Sequence, residues 1–284
     1  MGIAAIGMAS YAATFMRVVQ TDGNVVEYDV ESVSLVDFVN KEIPTDTISV
    51  IPTDTSVSNH PYVDLGLPSG TLWATYNIGA TKPEEYGDYF AWGETEPKDV
   101  YDWSTYKYAK VNENGNFDSF TKYNMSGYYG GIIDNLSVLL PEDDAAAANW
   151  GSEWKMPTNE EQRELINNSY MVWTNGYNDT DVRGVIFYKA KEDSDKGQYI
   201  DPWMGEPSAD YSVSSDAHVF FPAAGYRYGS GVSNEGDYGS YWSSSLIEED
   251  EGHARRLYFG EELVYCYFNY RYNGFPVRAV RVQK

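Results

Sequence analysis

Cysteine is nearly absent from this chain, since Cys266 is the only one among 284 residues. A single cysteine excludes an internal disulfide, a thiolate zinc cluster and any two-cysteine redox site. Basic residues are also scarce: 20 Lys and Arg stand against 43 Asp and Glu, for a net charge of −23. Because nucleic acids and anionic membranes both attract clustered positive charge, we expect no nucleic-acid partner and no membrane insertion.

Histidine is limited to His60, His218 and His253, which leaves few candidates for acid–base chemistry. A hydrolase triad needs a histidine near a nucleophile and a carboxylate. His60 lies at the end of the linker and His218 precedes a predicted core strand, while His253 has serines close to it in sequence, at 243–245, that show no nucleophile-elbow pattern. We therefore predict no catalytic residue and no enzyme activity, and we expect His253 to be a surface contact residue.

Aromatic residues, by contrast, make up 16% of the chain, with 26 Tyr and 8 Trp. Such a content argues for a packed, β-rich fold, because disordered chains are poor in aromatic residues. Four tryptophans that stand beside Gly and Pro turns are expected in the core: Trp73, Trp92, Trp154 and Trp242. Cys266 is expected to be a small core residue. Arg278 and Arg281 alternate with valines on the last strand, where we expect ion pairs or backbone hydrogen bonds.

Residues 1–13 are apolar and mostly small, and end in a plausible small-residue cleavage region. The stretch is too short to span a membrane and has no Lys or Arg before it. We interpret it as the rear of a signal peptide whose start lies upstream, which predicts an extracellular or cell-surface protein. The alternative is an ordinary buried segment.

Three further regions follow along the chain. They are a small β-unit at 14–40, a Pro/Thr-rich linker at 41–61 and a main domain at 62–284. In the β-unit, strands near 16–20 and 25–28 flank Asp22-Gly23, which favours a hairpin turn, and a third strand is expected near 34–39. The linker carries the direct repeat IPTDT, whose composition favours an extended spacer.

Two helices are predicted in the main domain. The first, at 142–149, follows Pro141 and begins with acidic residues that suit the positive end of the helix dipole. The second, at 158–168, begins with the capping box formed by Thr158 and Glu161. Leu165 and Ile166 supply its buried face.

The last third of the chain is predicted to form short antiparallel strands separated by Gly-rich turns. Successive side chains of a strand point to opposite faces. In residues 263–272, one face reads Leu263, Tyr265, Tyr267, Asn269, Arg271, and the other reads Val264, Cys266, Phe268, Tyr270, Tyr272. We expect the first set to be exposed as a recognition surface, since Tyr combines a rigid contact area with a hydrogen-bonding tip. The alternative is that the rest of the domain covers this face.

Six blocks of sequence, in order, resemble the major paralogous domain family first named from Fibrobacter succinogenes. They are YVDLGLPSGTLWATYNIGA (62–80), PEEYGDYFAWGETEPK (83–98), WKMPTNEEQRELINN (154–168), FFPAAGYR (220–227), YWSSS (241–245) and GFPVRAVR (274–281). That family is similar to the C-type lectin-like group, which includes variable proteins of diversity-generating retroelements. The resemblance implies a compact α+β domain with short antiparallel strands, two helices and chain ends that pair in one sheet.

The resemblance also implies a ligand-binding segment at 246–273, where retroelement-diversified members vary. The outward residues carried over to this sequence are Glu248, Asp250, His253, Arg256, Tyr258, Tyr265, Tyr267, Asn269, Tyr270, Tyr272 and Asn273. Strand alternation places Tyr270 and Tyr272 on the core side instead, and a bulge would reconcile the two predictions.

No cofactor and no metal ligands are predicted. The formylglycine-generating relatives use a cysteine pair with a metal, which this chain lacks. The acidic run at 248–251 has the oxygen ligands that calcium prefers, but no EF-hand pattern and no E-P-N or W-N-D tripeptide occurs. A solvated turn is the expectation there, with calcium as the less favoured alternative.

The sequence thus predicts a secreted or surface-displayed protein that binds a protein or carbohydrate ligand through a tyrosine-rich surface. The alternative is a structural or adhesive surface component, such as a fimbrial tip protein, whose N-terminal unit docks by strand addition. The ligand and the oligomeric state stay open.

Overall fold

A computed structural model of the chain describes residues 15–19, 25–29, 60–201 and 210–281. The chain divides into two units, Met1–Thr55 and Ser56–Lys284. The predicted signal-peptide remnant at 1–13, the third strand near 34–39 and the linker at 41–61, apart from its last two residues, lie outside the described residues.

The first unit contains an antiparallel pair of strands, β1 (Phe15–Val19) and β2 (Val25–Asp29). Phe15 is opposite Asp29 and Val19 is opposite Val25. The two predicted strands are therefore confirmed to within a residue. The turn at Asp22-Gly23 lies outside the described residues.

The second unit has α+β architecture, as predicted. Its strands are β3 (Tyr62–Asp64), β4 (Leu72–Ala74), β5 (Ala109–Val111), β6 (Phe117–Phe120), β7 (Trp154–Lys155), β8 (Ser169–Thr174), β9 (Gly184–Lys189), β10 (Tyr199–Ile200), β11 (His218–Pro222), β12 (Tyr226–Tyr228), β13 (Gly231–Ser233), β14 (Tyr238–Leu246), β15 (His253–Gly260), β16 (Leu263–Tyr270) and β17 (Val280–Arg281). Its α-helices are α1 (Ala145–Trp150) and α2 (Asn159–Asn168), with short 3-10 turns at Pro141–Asp143 and Asp193–Asp195.

These strands form small sheets. The orders are β3-β4-β17-β7, β10-β8-β9-β11 and β14-β15-β16, with the hairpins β5-β6 and β12-β13 beside them. All but the β8-β10 pair of these pairings are antiparallel. In the first sheet Trp73 of β4 is opposite Val280 of β17, and β3 pairs with the other side of β4, so strands from both ends of the unit lie in one sheet.

The second predicted helix is confirmed and the first is shifted. In α2 the Thr158 side chain accepts from Glu161 N while the Glu161 side chain accepts from Thr158 N, which is the predicted capping box. The expected helix at 142–149 begins three residues later, at Ala145, because Asp144 is its N-cap and accepts from Ala146 N and Ala147 N. The acidic residues before it lie in the 3-10 turn.

The core is rich in aromatic rings, and the predicted core tryptophans are all buried. The indole N–H of Trp92 donates to Ser243 O and that of Trp242 donates to Phe90 O, each at 2.9 Å. Arg278 donates to Asn77 Oδ1 and Ala74 O, while Arg281 pairs with Glu153. These contacts confirm the structural roles predicted for both arginines. Within the described residues, no helix is both long and apolar enough to cross a membrane.

Helix α2 covers one face of the β14-β15-β16 sheet. Its Leu165 shares a buried cluster with Tyr241, Leu257 and Phe259 of the sheet. Gly239 of β14 lies directly against the Phe259 ring, where an added Cβ would be 2.0 Å from a ring carbon. Packing against α2 therefore buries one face of the sheet. The other face and the outer edge carry the side chains of the candidate binding surface.

Candidate binding surface

Strand β16 forms one edge of the β14-β15-β16 sheet in the part of the chain that the structure describes. It pairs with β15 along its whole length, from Gly260 opposite Leu263 to His253 opposite Tyr270. Its eight residues, LVYCYFNY, include no charged residue and no proline. Natural sheets usually protect such an edge with charges, proline or a bulge. An uncharged, aromatic edge is therefore a feature that a partner can use.

A continuous series of aromatic rings surrounds this edge. Ring-centroid distances are 5.5 Å for Tyr238–Tyr258 and Tyr258–Tyr265, 5.6 Å for Tyr265–Tyr267, 4.5 Å for Tyr267–Phe268, 5.3 Å for Phe268–His253, 4.2 Å for His253–Tyr270, 5.4 Å for Tyr270–Tyr272 and 6.1 Å for Tyr272–Tyr228. Since Tyr267 and Phe268 are neighbours on β16, the series passes from one face of the sheet to the other around its edge.

The tyrosines of this region are called the tyrosine surface. It comprises Tyr226, Tyr228, Tyr238, Tyr258, Tyr265, Tyr267, Tyr270 and Tyr272. Their hydroxyl groups make no hydrogen bond to any residue in 60–201 or 210–281, and none of them is enclosed. Several tyrosine hydroxyls outside this surface instead bond within the fold: Tyr241 donates to Pro222 O, Tyr199 to Gly260 O and Tyr89 to Ala224 O. Except for Tyr272, whose ring is buried, these tyrosines present at least part of a flat ring together with a free polar tip.

Arg256 of β15 lies beneath these rings and is 7% exposed. Its Cζ is 4.3 Å from the ring centroid of Tyr258 and 5.2 Å from that of Phe275. Nε donates to Phe268 O at 3.4 Å and Nη1 donates to Ser240 Oγ. Burial lowers the pKa of this guanidinium to about 10, since no carboxylate offsets the loss of water.

The turn between β14 and β15 is anchored by a loop at 125–130. Tyr129 donates to Asp250 Oδ1 at 2.7 Å, and Ser126 N donates to the buried carboxylate of Glu251. The other carboxylate oxygen of Asp250 is 2.8 Å from His253 Nδ1. Asp250 and Glu251 therefore stabilise the turn through contacts within the protein.

The residues carried over from the family lie in different environments. Glu248, Tyr265, Tyr267 and Tyr270 are exposed; Asp250, His253, Tyr258 and Asn269 are half-buried; Arg256, Tyr272 and Asn273 are buried. All belong to the β14–β15 turn, to β15, to β16 or to the residues just after it, so the structure brings them into one region.

The outward orientation expected for Arg256, Tyr272 and Asn273 is wrong. The Tyr258 and Phe275 rings pack against the Arg256 guanidinium, and 7% of the residue stays exposed. Strand β16 ends at Tyr270, after which the chain turns inward: Tyr272 packs 4.7 Å from Trp103, and Asn273 donates to Asn269 Oδ1. Burial raises the pKa of the Tyr272 hydroxyl to about 12.

The predicted strand alternation is also corrected at three positions. Arg271, placed on the exposed face, is fully buried and donates to Tyr106 Oη and to backbone oxygens of Lys122, Tyr123 and Glu251. Phe268 and Tyr270, placed on the core side, are both exposed, and the Phe268 ring stacks on that of Tyr267. The alternation fails at Arg271 because β16 ends one residue earlier, at Tyr270. It fails within β16 because no other described strand pairs with the outer edge of β16.

Sequence reasoning missed several members of the surface: Tyr226, Tyr228, Tyr238 and Phe268. The alternation of tyrosines in GYRYGSG, at 225–231, was the available signal for Tyr226 and Tyr228. It was obscured by the surrounding glycines, which indicated only a turn. Tyr238 comes to the surface through its pairing across the sheet, opposite Gly260, which no local pattern reveals.

Cys266, expected in the core, is half-buried on β16, and burial raises the pKa of its thiol to about 11. A thiol with so high a pKa is a poor nucleophile near neutral pH. Within residues 60–201 and 210–281, no group of three or more His, Cys, Asp or Glu side chains is placed to hold a metal ion.

A concave region apart from the tyrosine surface is a largely apolar cleft of about 610 Å³ beside α1. Its lining includes Leu139, Ala147, Trp154 and Met156. The polar groups there already serve the fold, because Asp144 accepts from backbone N–H groups, including Met156 N, and Lys155 pairs with Glu161. The cleft therefore offers few free polar groups to orient a ligand, unlike the tyrosine surface.

One comparison with known proteins matches the part of the chain that carries the tyrosine surface. A family model described as "Domain of unknown function (DUF8237)" matches residues 206–280. No curated protein and no solved structure matches the chain. The matched segment contains the whole tyrosine surface and Arg256. In this segment, then, the chain is similar to the domain of unknown function DUF8237.

Proposed function

We propose that this chain is a secreted or surface-displayed binding protein that recognises a protein or a glycan through the tyrosine surface. The observation that carries the proposal is the set of free hydroxyls on this surface, in contrast to the bonded hydroxyls of tyrosines such as Tyr241 and Tyr199. A ligand gains hydrogen bonds there without breaking any within the protein. The rings already touch one another, so little side-chain entropy is lost on binding.

The resemblance to the major paralogous domain supports the same proposal, because it implies a C-type lectin-like fold with a ligand-binding sheet-and-loop surface. The α+β architecture and the pairing of β17 with β4 agree with that fold. Recognition by rings and hydroxyls needs no bond chemistry, which is why we propose a binding protein and not an enzyme. Cell-surface placement is part of this proposal.

The test is binding of the full chain to a combined glycan and protein array. A variant that carries Tyr265→Ala, Tyr267→Ala and Tyr270→Ala removes exposed rings from β16. A matched control carries Tyr62→Ala and Tyr128→Ala, which remove rings that are also exposed but lie outside this surface. We expect the first variant to lose at least tenfold in affinity and the control to bind like the wild type.

Binding that survives the first variant, with its thermal unfolding unchanged, would place the binding site elsewhere. Equal loss in both variants would show that the effect is general and not a property of the tyrosine surface.

A structural or adhesive surface component, such as a fimbrial tip protein, is the second candidate. It is favoured by strand β16, since an uncharged edge of eight residues suits the addition of a strand from another chain. In that case main-chain hydrogen bonds, and not tyrosine hydroxyls, supply the recognition.

A further inference from the structure

Three arginines of the described residues are buried: Arg256, Arg271 and Arg278. Arg271 uses every nitrogen of its guanidinium, with hydrogen bonds of 2.8 to 3.1 Å to four acceptors. Arg278 bonds through Nε and Nη1, while its Nη2 is enclosed in the core without a partner, beyond the reach of a ligand. Both of these arginines serve the interior of the fold.

Arg256 differs from both. Its Nε bond is long, its Nη1 bonds to Ser240, and Nη2 has no hydrogen-bond partner within residues 60–201 and 210–281. Nη2 is also not among the enclosed polar atoms. A guanidinium removed from water without a counter-charge is costly for a protein to keep. A ligand that supplies the missing charge recovers this cost.

Tyrosines, and not acids, surround this guanidinium. Its electrostatic neighbours are Tyr258, Tyr265, Tyr226 and Tyr267, all members of the tyrosine surface. No carboxylate of the described residues lies within ion-pair distance of Arg256, although the chain has 43 Asp and Glu. An acidic protein therefore has, at the centre of its candidate binding surface, one cation that no acid of the described residues neutralises.

We infer that the ligand of the tyrosine surface is a carbohydrate with a carboxylate group, and that Arg256 binds this carboxylate. The inference rests on the proposed function, because it assigns a ligand class to the same surface. A guanidinium forms short, charge-assisted hydrogen bonds with carboxylates. The free hydroxyls of Tyr226, Tyr258, Tyr265 and Tyr267 match the hydroxyls of the same sugar, and their rings offer flat apolar contact.

The overall charge favours an acidic sugar over an acidic peptide. A net charge of −23 repels a partner with many negative charges over long distances. A sugar unit with a single carboxylate meets less repulsion, while the low-dielectric surroundings of Arg256 strengthen the one attraction that it gains.

The experiment is titration calorimetry of the full chain with pairs of oligosaccharides. The two members of each pair differ only at the terminal unit, which is glucuronate or glucose, galacturonate or galactose, and mannuronate or mannose. We expect at least one acidic member to bind tenfold or more tightly than its neutral counterpart. Methyl esterification of that acidic member, which removes its charge and keeps its ring, is expected to abolish the preference.

Arg256→Gln is expected to remove the preference, while Arg255→Gln is the matched control. Arg255 is the neighbouring residue on β15 and points to the opposite face, toward the polar region near Glu160 and Glu248. We expect Arg255→Gln to keep the preference. Should Arg256→Gln fail to unfold cooperatively, the esterified probe still decides the question on the wild-type protein.

The outcomes separate the two proposals. Neutral members that bind as tightly as acidic ones, or an Arg256→Gln variant that keeps the preference, would overturn the carboxylate inference and leave the proposed function standing. Tighter binding of a glutamate-rich peptide than of any sugar would overturn the assignment to a carbohydrate. If the wild-type protein binds nothing on the glycan and protein array, the proposed function is overturned.

Discussion

Asp143 shows how one buried carboxylate organises its surroundings. Its oxygens accept from Tyr123 Oη at 2.7 Å, from Lys107 Nζ at 3.0 Å and from Lys122 Nζ at 2.5 Å. Burial by itself raises the pKa of Asp143, but the hydrogen bonds from Lys122 and the other donors outweigh it and hold the pKa well below its usual range. The ionised form is therefore part of the fold.

We expect Asp143→Asn to lower the free energy of unfolding by about 2 kcal/mol at pH 7, because charge-assisted bonds to two lysines are lost. Since the folded pKa is depressed, this contribution is present above the unfolded pKa of about 3.9 and disappears as the pH falls toward the folded value. The difference in free energy of unfolding between the wild type and Asp143→Asn should therefore become smaller below about pH 4. Urea unfolding at pH 7 and pH 3 measures it.

Glu142→Gln is the control for this prediction. The Glu142 side chain is mostly exposed and its carboxylate is 3.4 Å from Lys122 Nζ, so we expect the free energy of unfolding to change by less than about 0.5 kcal/mol. Equal effects of the two substitutions, or a gap that widens at low pH, would contradict the role given to Asp143.

Arg271 marks the limit of sequence reasoning at this scale. Alternation along β16 placed it outside, yet the fold encloses it and uses all of its nitrogens. The acceptors belong to Tyr106, Lys122, Tyr123 and Glu251, three of which stand about 150 residues before it in the chain. No local pattern identifies such partners. Arg278, by contrast, lies just before β17 in the run VRAVRV, and its hydrogen bond to the backbone oxygen of Ala74 is of the kind that this pattern predicted.

At the scale of elements, α2 was predictable because its start signal is local. The two members of the capping box are three residues apart and bond to each other. The start of α1 was misplaced, because Pro141 and the acidic residues after it also suit a helix start, whereas they form a 3-10 turn and Asp144 caps the helix. The sequence pattern thus identified both helices, but it did not determine which of three consecutive acidic residues caps the first one.

Thr158→Ala tests the predicted cap. It removes the acceptor for Glu161 N and is expected to lower the free energy of unfolding by about 1 kcal/mol. Thr75→Ala is the matched control, since the Thr75 hydroxyl makes only a 3.4 Å bond to Pro61 O, and we expect less than about 0.5 kcal/mol there. Thermal or urea unfolding compares the two, and equal losses would show that the cap contributes nothing specific.

At the scale of the whole molecule, the tyrosine surface belongs entirely to the unit that begins at Ser56. The surface, the buried tryptophans and the paired strands β4 and β17 all lie within it. The α+β class of this unit followed from its alternating strands and two helix signals. The edge position of β16 among the described strands and the position of Arg256 depend on which strands pair, and that pairing is set by contacts across the whole unit.

A chain of residues 56–284 is therefore expected to fold alone, with cooperative thermal unfolding close to that of the full chain, and to keep its ligand binding. If the chain is instead a structural component, removal of residues 1–55 should abolish assembly into larger particles. Sedimentation of the two chains, together with the array measurement, distinguishes these results. Loss of ligand binding on truncation, in a chain that still folds, would contradict the proposed division of roles.

The uncharged edge of β16 has a consequence for the colloidal behaviour of the protein. The strand LVYCYFNY contains no charged residue that would repel an identical strand, so no local charge opposes pairing when two copies meet at this edge. Their separation depends on the net charge of −23, a long-range repulsion that salt screens and that acidification removes. High salt and mild acid should therefore act alike on this molecule, since each makes copies of the chain adhere through the strand that we propose for its ligand.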